Sequence, residues 1–529
     1  MFIVSVSIFA LLSFSLPRPV TSSVAYCSNQ DYESGALGIS PYQTYNAALY
    51  SPVQINYALP PDDCPSNNQV SGYFFFSPLG AGVEMPGGVI MNPNGTLVYS
   101  AEALNFKGES LLRGTVSYQG EDCLAFWVSD GLIVSEGYGS GYNVLVNSSY
   151  DVVLNITTSN LTVGADVHEL LITSNNTAVM PAYVAETGDL SSFGGPQDGY
   201  LVNGIVQEVD IATGEAIFTW KSLDHVDPSE CYAPIGILYT GNGTVDDPWD
   251  YFHLNSIQKN DDGTYLISSR HCSTLYLVDP AGDIIWRMGG KNSSFTMNEG
   301  SGFSWQHHAR MHGSGVISVL DDGASQWEAD IPYSRGLLLH YDETSMMVSL
   351  SSERAPFNRT TSTSQGDVQM LSNGNSIVGW GEMPYYSEHD ADGDIVWSAQ
   401  FAASNEITAY RVFLQSWVGR PSIPPSMSIA NSSSGGNVTV YAWWNGATEV
   451  TSWQLFGSTL ESPLKTTTLT TVSKTDFETV LTYTGSEYAY YQVVAMNGNG
   501  QTLDFSNFTG LDGTTFGKAD NQTVSAPAL

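Results

Sequence analysis

The chain has 529 residues, with 17 Lys+Arg against 53 Asp+Glu and a formal net charge of −36. That balance excludes a protein that docks on nucleic acid or on an anionic membrane surface, because both need a basic face. Only 13% of residues are charged and 42% are hydrophobic, which excludes an acidic disordered polymer; 51 Gly and 12% aromatics point to an all-β chain rich in turns.

The first segment, Met1 to Leu16, is apolar and is followed by Pro17 and small polar residues. It reads as a secretory signal peptide spanning residues 1–23, which predicts a secreted, extracellular protein. No later stretch approaches the ~18 apolar residues of a membrane span. Twelve Asn-x-Ser/Thr sequons start at Asn94, Asn147, Asn155, Asn160, Asn175, Asn242, Asn292, Asn358, Asn431, Asn437, Asn507 and Asn521, so N-glycans are expected. The five cysteines are Cys27, Cys64, Cys123, Cys231 and Cys272. An oxidising compartment allows at most two disulfides and leaves one thiol; the sequence leaves the pairing open.

Residues 24–69 lead into a repetitive region over 70–420. Half of its unit is a Gly or Asn turn followed by an apolar strand. It appears as Asn94-Gly95-Thr96-Leu97, Asp262-Gly263-Thr264-Tyr265 and Asn373-Gly374-Asn375-Ser376, with a looser copy at Asn175-Asn176-Thr177. The other half is a turn and a strand ending in Trp, at Thr213 to Trp220, Ala281 to Trp286 and Asp392 to Trp397, with a degenerate copy at Asp342 to Leu350. This pattern predicts five to seven four-stranded blades around an axis. The strand after each Gly turn is expected to be an inner one, and the Trp strand to pack between blades. Pro421 to Ser426 reads as a linker, residues 427–512 as a small β-sandwich similar to a fibronectin type III domain, and 513–529 as a flexible tail.

Five of the nine histidines fall between His253 and His312, and residues 253–310 hold Lys259, Arg270, Arg287, Lys291 and Arg310. The segment is formally neutral inside an acidic chain, a place suited to an anion. His253 and Asn255, two apart, are expected to share one face of a strand. His168 precedes an earlier turn as His253 precedes Gly263, Arg270 follows the next strand, and His307 and His308 open the following unit. Such repeated strand-start positions should converge on one mouth of a central channel. His225, His340 and His389 read as structural, and His312 is open between the two readings. Clustered histidines also suit zinc, but an adjacent arginine disfavours a cation, and no HExxH pattern is present, so no metal is assigned.

These stretches resemble the arylsulfotransferase family, especially its secreted fungal members. The matching segments are Asp166-Val167-His168-Glu169, Trp220 to Val226, Asp250 to Ser256, Ser268-Ser269-Arg270-His271, Trp286 to Lys291 and Trp305-Gln306-His307-His308. The resemblance implies an all-β, six-bladed β-propeller with the C-terminal sandwich appended. It also implies transfer of a sulfuryl group from a phenolic sulfate ester to a phenol through a covalent sulfohistidine. The nucleophile's place falls on His307, with His308 as the alternative because the histidine is doubled. The other channel residues fall on His168, His253, Asn255 and Arg270. Arg270 is expected to offer its fork of donors to the sulfuryl oxygens. An aryl ester donor needs no nucleotide cofactor, and none is assigned. Two other readings remain: a non-catalytic binding propeller at a cell surface or wall, and, with less support, an oxidoreductase propeller with a quinone-type cofactor.

Overall fold

A computed structural model describes residues 19–20, 24–62, 64, 71–133, 137–313, 315–430, 437–459 and 466–516. Residues 1–18 and 21–23 of the expected signal peptide lie outside these. Among the described residues no helix is long and apolar enough to cross a membrane. The architecture is all-β, with only single-turn helices such as Gln30–Glu33 and Ser222–His225.

Six antiparallel sheets follow one another along the chain. Sheet 1 joins Tyr73–Phe76, Val89–Met91 and Leu97–Ser100 to Phe413–Gln415, which arrives from the far end of the region. Sheet 2 runs from Ser110–Tyr118 to Val152–Ile156. Sheet 3 runs from Leu171–Ile172 to Ala216–Lys221, and sheet 4 from Leu254–Lys259 to Ile284–Gly289. Sheet 5 runs from His307–Met311 to Met347–Arg354 and sheet 6 from Asp367–Met370 to Ile395–Gln400. The first strands of sheets 2 to 5 touch their neighbours in turn, and Phe413–Gln415 touches sheets 6 and 2. The sheets therefore close into a ring, clasped where a late strand completes the first sheet.

The Trp strands form the fourth strands of their sheets, and each Trp is buried against the next sheet. Trp220 packs with Phe252 and Leu254, Trp286 with Val319 and Leu337, and Trp397 with Phe74. Burying such a large ring at these three junctions supplies much of the apolar contact that holds the sheets on either side together. The solvent face of the same strands carries Ile217, Ile285 and Val396. The Gly turns lead into second strands in sheets 3, 4 and 6. The Asn94-Gly95 turn differs, because it leads into Leu97–Ser100 at the edge of sheet 1.

The N-terminal segment does more than lead in. Asn56–Leu59 pairs with Ile395–Gln400 and Tyr26–Cys27 pairs with Asn56–Leu59, extending sheet 6 outward. A Cys27–Cys64 disulfide pins this segment. A second disulfide joins Cys231 to Cys272, and Cys123 is a buried thiol. Beyond the ring, two sheets share one core around Val440, Trp453, Leu455 and Val493. The first begins at Ser426–Ala430, so Ser426 of the expected linker is already strand. Thr515–Phe516, at the start of the expected tail, pairs with Phe508–Gly510. This unit is bound to the N-terminal segment by Glu478, whose carboxylate accepts from the backbone N–H groups of Asn46, Ala47 and Ala48 at 2.8 Å.

Candidate active site

The strand starts of the ring converge on one cavity of about 340 Å³. His168, His253, Arg270, His271, His307 and Tyr410 all line it. His168 precedes sheet 3, His253 sheet 4, His307 opens sheet 5, and Tyr410 precedes the strand that closes sheet 1. Four sheets thus deliver ring side chains to one point. The His168 ring lies 4.9 Å from that of His253, 6.0 Å from His307 and 5.9 Å from Tyr410, and His253 lies 4.6 Å from His271.

Each imidazole is anchored through Nδ1 to an atom that can only accept, so Nδ1 carries the proton. His168 Nδ1–H donates to Asp166 Oδ1 at 2.6 Å and His253 Nδ1–H to Asp250 Oδ2 at 2.6 Å. His271 Nδ1–H donates to the Asp250 carbonyl at 2.6 Å, and His307 Nδ1–H to the Gly366 carbonyl at 2.8 Å. The same carboxylates also accept the backbone N–H of His168 (2.9 Å) and of His253 (3.0 Å), which fixes both loops. In a ring that is neutral and so anchored, Nε2 keeps its lone pair. The Nε2 of His307 lies 3.5 Å from the Tyr410 hydroxyl, which donates to the His168 carbonyl at 3.1 Å.

Burial keeps His307 well below the ordinary imidazole range, with Arg411 and His168 adding to the effect against the Gly366 carbonyl. Burial likewise lowers His253, helped by His168 and Arg270, and lowers His271 to about 3. All three are neutral at neutral pH. The Asp250 carboxyl is raised by burial, with His271 opposing.

His308 does not share this site. Its backbone has φ +51°, the register shifts between His307 and Arg310, and its Nδ1 accepts from the Val368 N–H at 3.4 Å while its ring packs on Phe413. His307, not His308, faces the cavity. Asn255 also departs from expectation. His253 has φ +50° and a bulge follows between Leu254 and Ser256, so the two residues do not share a face. The Asn255 amide instead donates to the Gln306 carbonyl at 2.5 Å, just before His307, and so positions that strand.

Arg270 lines the cavity, but its fork is occupied. Nη1 donates to the Trp305 carbonyl and to Asp322 Oδ2 (3.2 Å), and Nη2 to the carbonyls of Ala324 (3.3 Å) and Thr363. The other bases of 253–310 are engaged as well. Lys259 pairs with Glu208 at 2.7 Å, Arg287 with Glu230 at 3.4 Å and Arg310 with Glu169 at 2.6 Å, and Lys291 donates to the Ser229 and Cys231 carbonyls. The neutral segment is therefore a set of local pairs rather than an open cationic patch. His225 stacks on Trp220, His312 bonds Ser318, and His389 bonds Ser387 and Gly393; each is a structural contact.

Asp250, His253 and His271 each offer a ligand atom, all within 4.8 Å of one another. A cation there would compete with the two Nδ1–H bonds to Asp250 that already fill the cluster. The sequence places His271 beside Arg270 without marking a role for it, and it does not mark Tyr410 or the anchoring pair Asp166 and Asp250. His271, Asp166 and Asp250 lie inside the motifs already noted. Tyr410 follows the last Trp repeat, and its strand belongs spatially to the first sheet, so no periodicity marked it.

The family model for Arylsulfotransferase (ASST) matches residues 115–402. No curated protein matches. Among solved structures, a Bacteroides caccae protein of unknown function is similar at 13% identity over 65% of this chain and 98% of that chain, with a TM-score of 0.36. A gluconolactonase from Xanthomonas campestris is similar at 10% identity over 65% and 90%, with a TM-score of 0.28. Virginiamycin B lyase from Staphylococcus aureus is similar at 8% identity over 62% and 90%, with a TM-score of 0.27.

Proposed function

The chain belongs to the arylsulfotransferase (ASST) family, and on that footing we propose that it moves a sulfuryl group between phenols through His307, without a nucleotide cofactor. The observation that carries this is the state of His307. It is a neutral ring with Nδ1–H held by the Gly366 carbonyl and a bare Nε2 in the cavity. That is the form in which an imidazole acts as a nucleophile.

In the first half-reaction, the Nε2 pair attacks sulfur and the bond from sulfur to the aryl oxygen breaks. The bonding pair leaves with that oxygen as a phenolate, which takes its proton from water. In the second, an acceptor phenol attacks sulfur, the S–Nε2 bond returns its pair to His307, and the phenolic proton goes to the Nε2 of a pocket imidazole, which passes it on to water. Protons balance over the cycle. His168 and His253 suit this exchange, because Asp166 and Asp250 behind them support the imidazolium formed when Nε2 is protonated. The Tyr410 hydroxyl can turn its one proton from the His168 carbonyl to a peripheral sulfuryl oxygen arriving beside His307 Nε2. Arg270 shapes the wall through its carbonyl and Asp322 contacts.

The supporting architecture in this reading is a six-bladed propeller over 70–420, one blade per sheet, with a fibronectin type III-like sandwich at 427–512. A secreted, N-glycosylated protein fits the two disulfides. It also fits the sequons, since each described sequon Asn is exposed or half-buried.

The test is turnover of a chromogenic aryl sulfate by the purified protein with a phenol acceptor. Release that depends on the acceptor, and that falls to background in His307→Ala, is expected. Acceptor-independent silence in a folded protein would favour the non-catalytic binding module.

A further inference from the structure

The charges around the cavity do not match a site built only for anions. Two carboxylates, Glu109 and Glu382, line it together with Arg270 and His307. Arg270 is the cavity's one formal cation, and both of its Nη groups are taken by carbonyls and by Asp322. Asp322 itself keeps one buried oxygen without a partner. Glu382 is half-buried; one of its oxygens accepts from the Thr363 hydroxyl, while the other takes none of the described hydrogen bonds. Glu109 is exposed at the rim. Leu79, Leu111 and Trp127 also line the cavity and give it an apolar surface for an aromatic ring. A phenol with its ring on that surface and its hydroxyl at His307 would share the cavity with both carboxylates.

We propose that the phenol site is selective for aryl substrates carrying a cationic amine opposite the reacting oxygen, with Glu382 and Glu109 as the specificity groups. This rests on the sulfuryl-transfer reading above. The same phenol subsite would serve donor and acceptor in turn, so an amine-bearing aryl sulfate would enter as a zwitterion. Such a molecule carries no net charge against a chain of −36. The transfer itself is unchanged: the phenol oxygen forms the S–O bond, S–Nε2 breaks, and the ammonium group takes no part beyond binding.

The experiment compares three acceptors of similar size with one aryl sulfate donor: tyramine, 4-ethylphenol and 3-(4-hydroxyphenyl)propionate. The expected order of kcat/KM is amine over neutral by roughly tenfold, and neutral over carboxylate by a similar factor, as one charge near a half-buried carboxylate would give. The ratio of amine to neutral should fall toward one in Glu382→Gln and shrink in Glu109→Gln. Glu109 is exposed, so its replacement keeps the test sound if the Glu382 variant folds poorly. Added salt should lower the amine rate and raise the carboxylate rate. Turnover of all three without an amine preference, or a preference that survives both substitutions, overturns this proposal alone. No turnover with any acceptor overturns it together with the reading it rests on.

Discussion

Tyr410 is the residue whose role is most separable from folding. It stands edge-on to His307, with ring centroids 5.4 Å apart, and its hydroxyl bridges the His168 carbonyl and the space beside His307 Nε2. Burial raises its phenol well above the ordinary value, against the pull of Arg411 and Arg113, so it stays a donor across the working pH range. Tyr410→Phe removes one hydrogen bond and keeps the ring. It should lower kcat by about tenfold to a hundredfold with little change in Tm, as loss of one transition-state donor does. An unchanged kcat would remove Tyr410 from the reaction. At this scale the sequence was informative where residues recur at one place in a repeat. His168, His253 and His307 could be picked out because each precedes or opens a first strand. Arg270 was found as a neighbour of the site, but its partners were not foreseeable, since Asp322 and Thr363 come from later sheets. Asn255 was misplaced because strand alternation was assumed through a bulge.

The element that closes the ring is Phe413–Gln415, and its hold depends on Asp367 at the start of sheet 6. Asp367 Oδ1 accepts the Val412 N–H at 2.8 Å, while Oδ2 is buried without a partner. Burial pushes this carboxyl up to about 7, with the Val412 N–H and Arg411 pulling it down. The folded protein thus keeps a proton that the unfolded chain releases near pH ~4. Stability from this group is present in acid and is lost as pH rises through about 7. Asp367→Asn keeps the acceptor for Val412 and removes the titration. The variant should gain Tm over the parent at pH 8 and lose that advantage at pH 5, as read by thermal melts at both values. A difference that does not vary with pH would contradict this account of the clasp. The Gly turns and Trp strands made the repeated sheets legible because burial of a large ring at three of the junctions leaves a fixed mark. The clasp left none, since a strand after the last repeat carries no pattern of the sheet it joins. The pairing of Asn56–Leu59 onto sheet 6 was invisible for the same reason.

For the whole molecule, the charge of −36 excluded basic partners, but its local meaning changed. The bases of residues 253–310 are spent on pairs with acids and carbonyls, and the cavity is left with imidazoles anchored through Nδ1, one engaged arginine and two carboxylates. Function here depends on six sheets bringing single residues to one axis, so it is a property of the closed ring rather than of any one motif. The central claim is that His307 carries the sulfuryl group. The most direct measurement is mass spectrometry of the peptide containing His307 and His308 after brief exposure to an aryl sulfate without acceptor. The account predicts an SO3 adduct on the peptide that is lost on adding a phenol, persists in His308→Ala and is absent in His307→Ala. An adduct on His308, or none in a protein that turns over the ester, would contradict it.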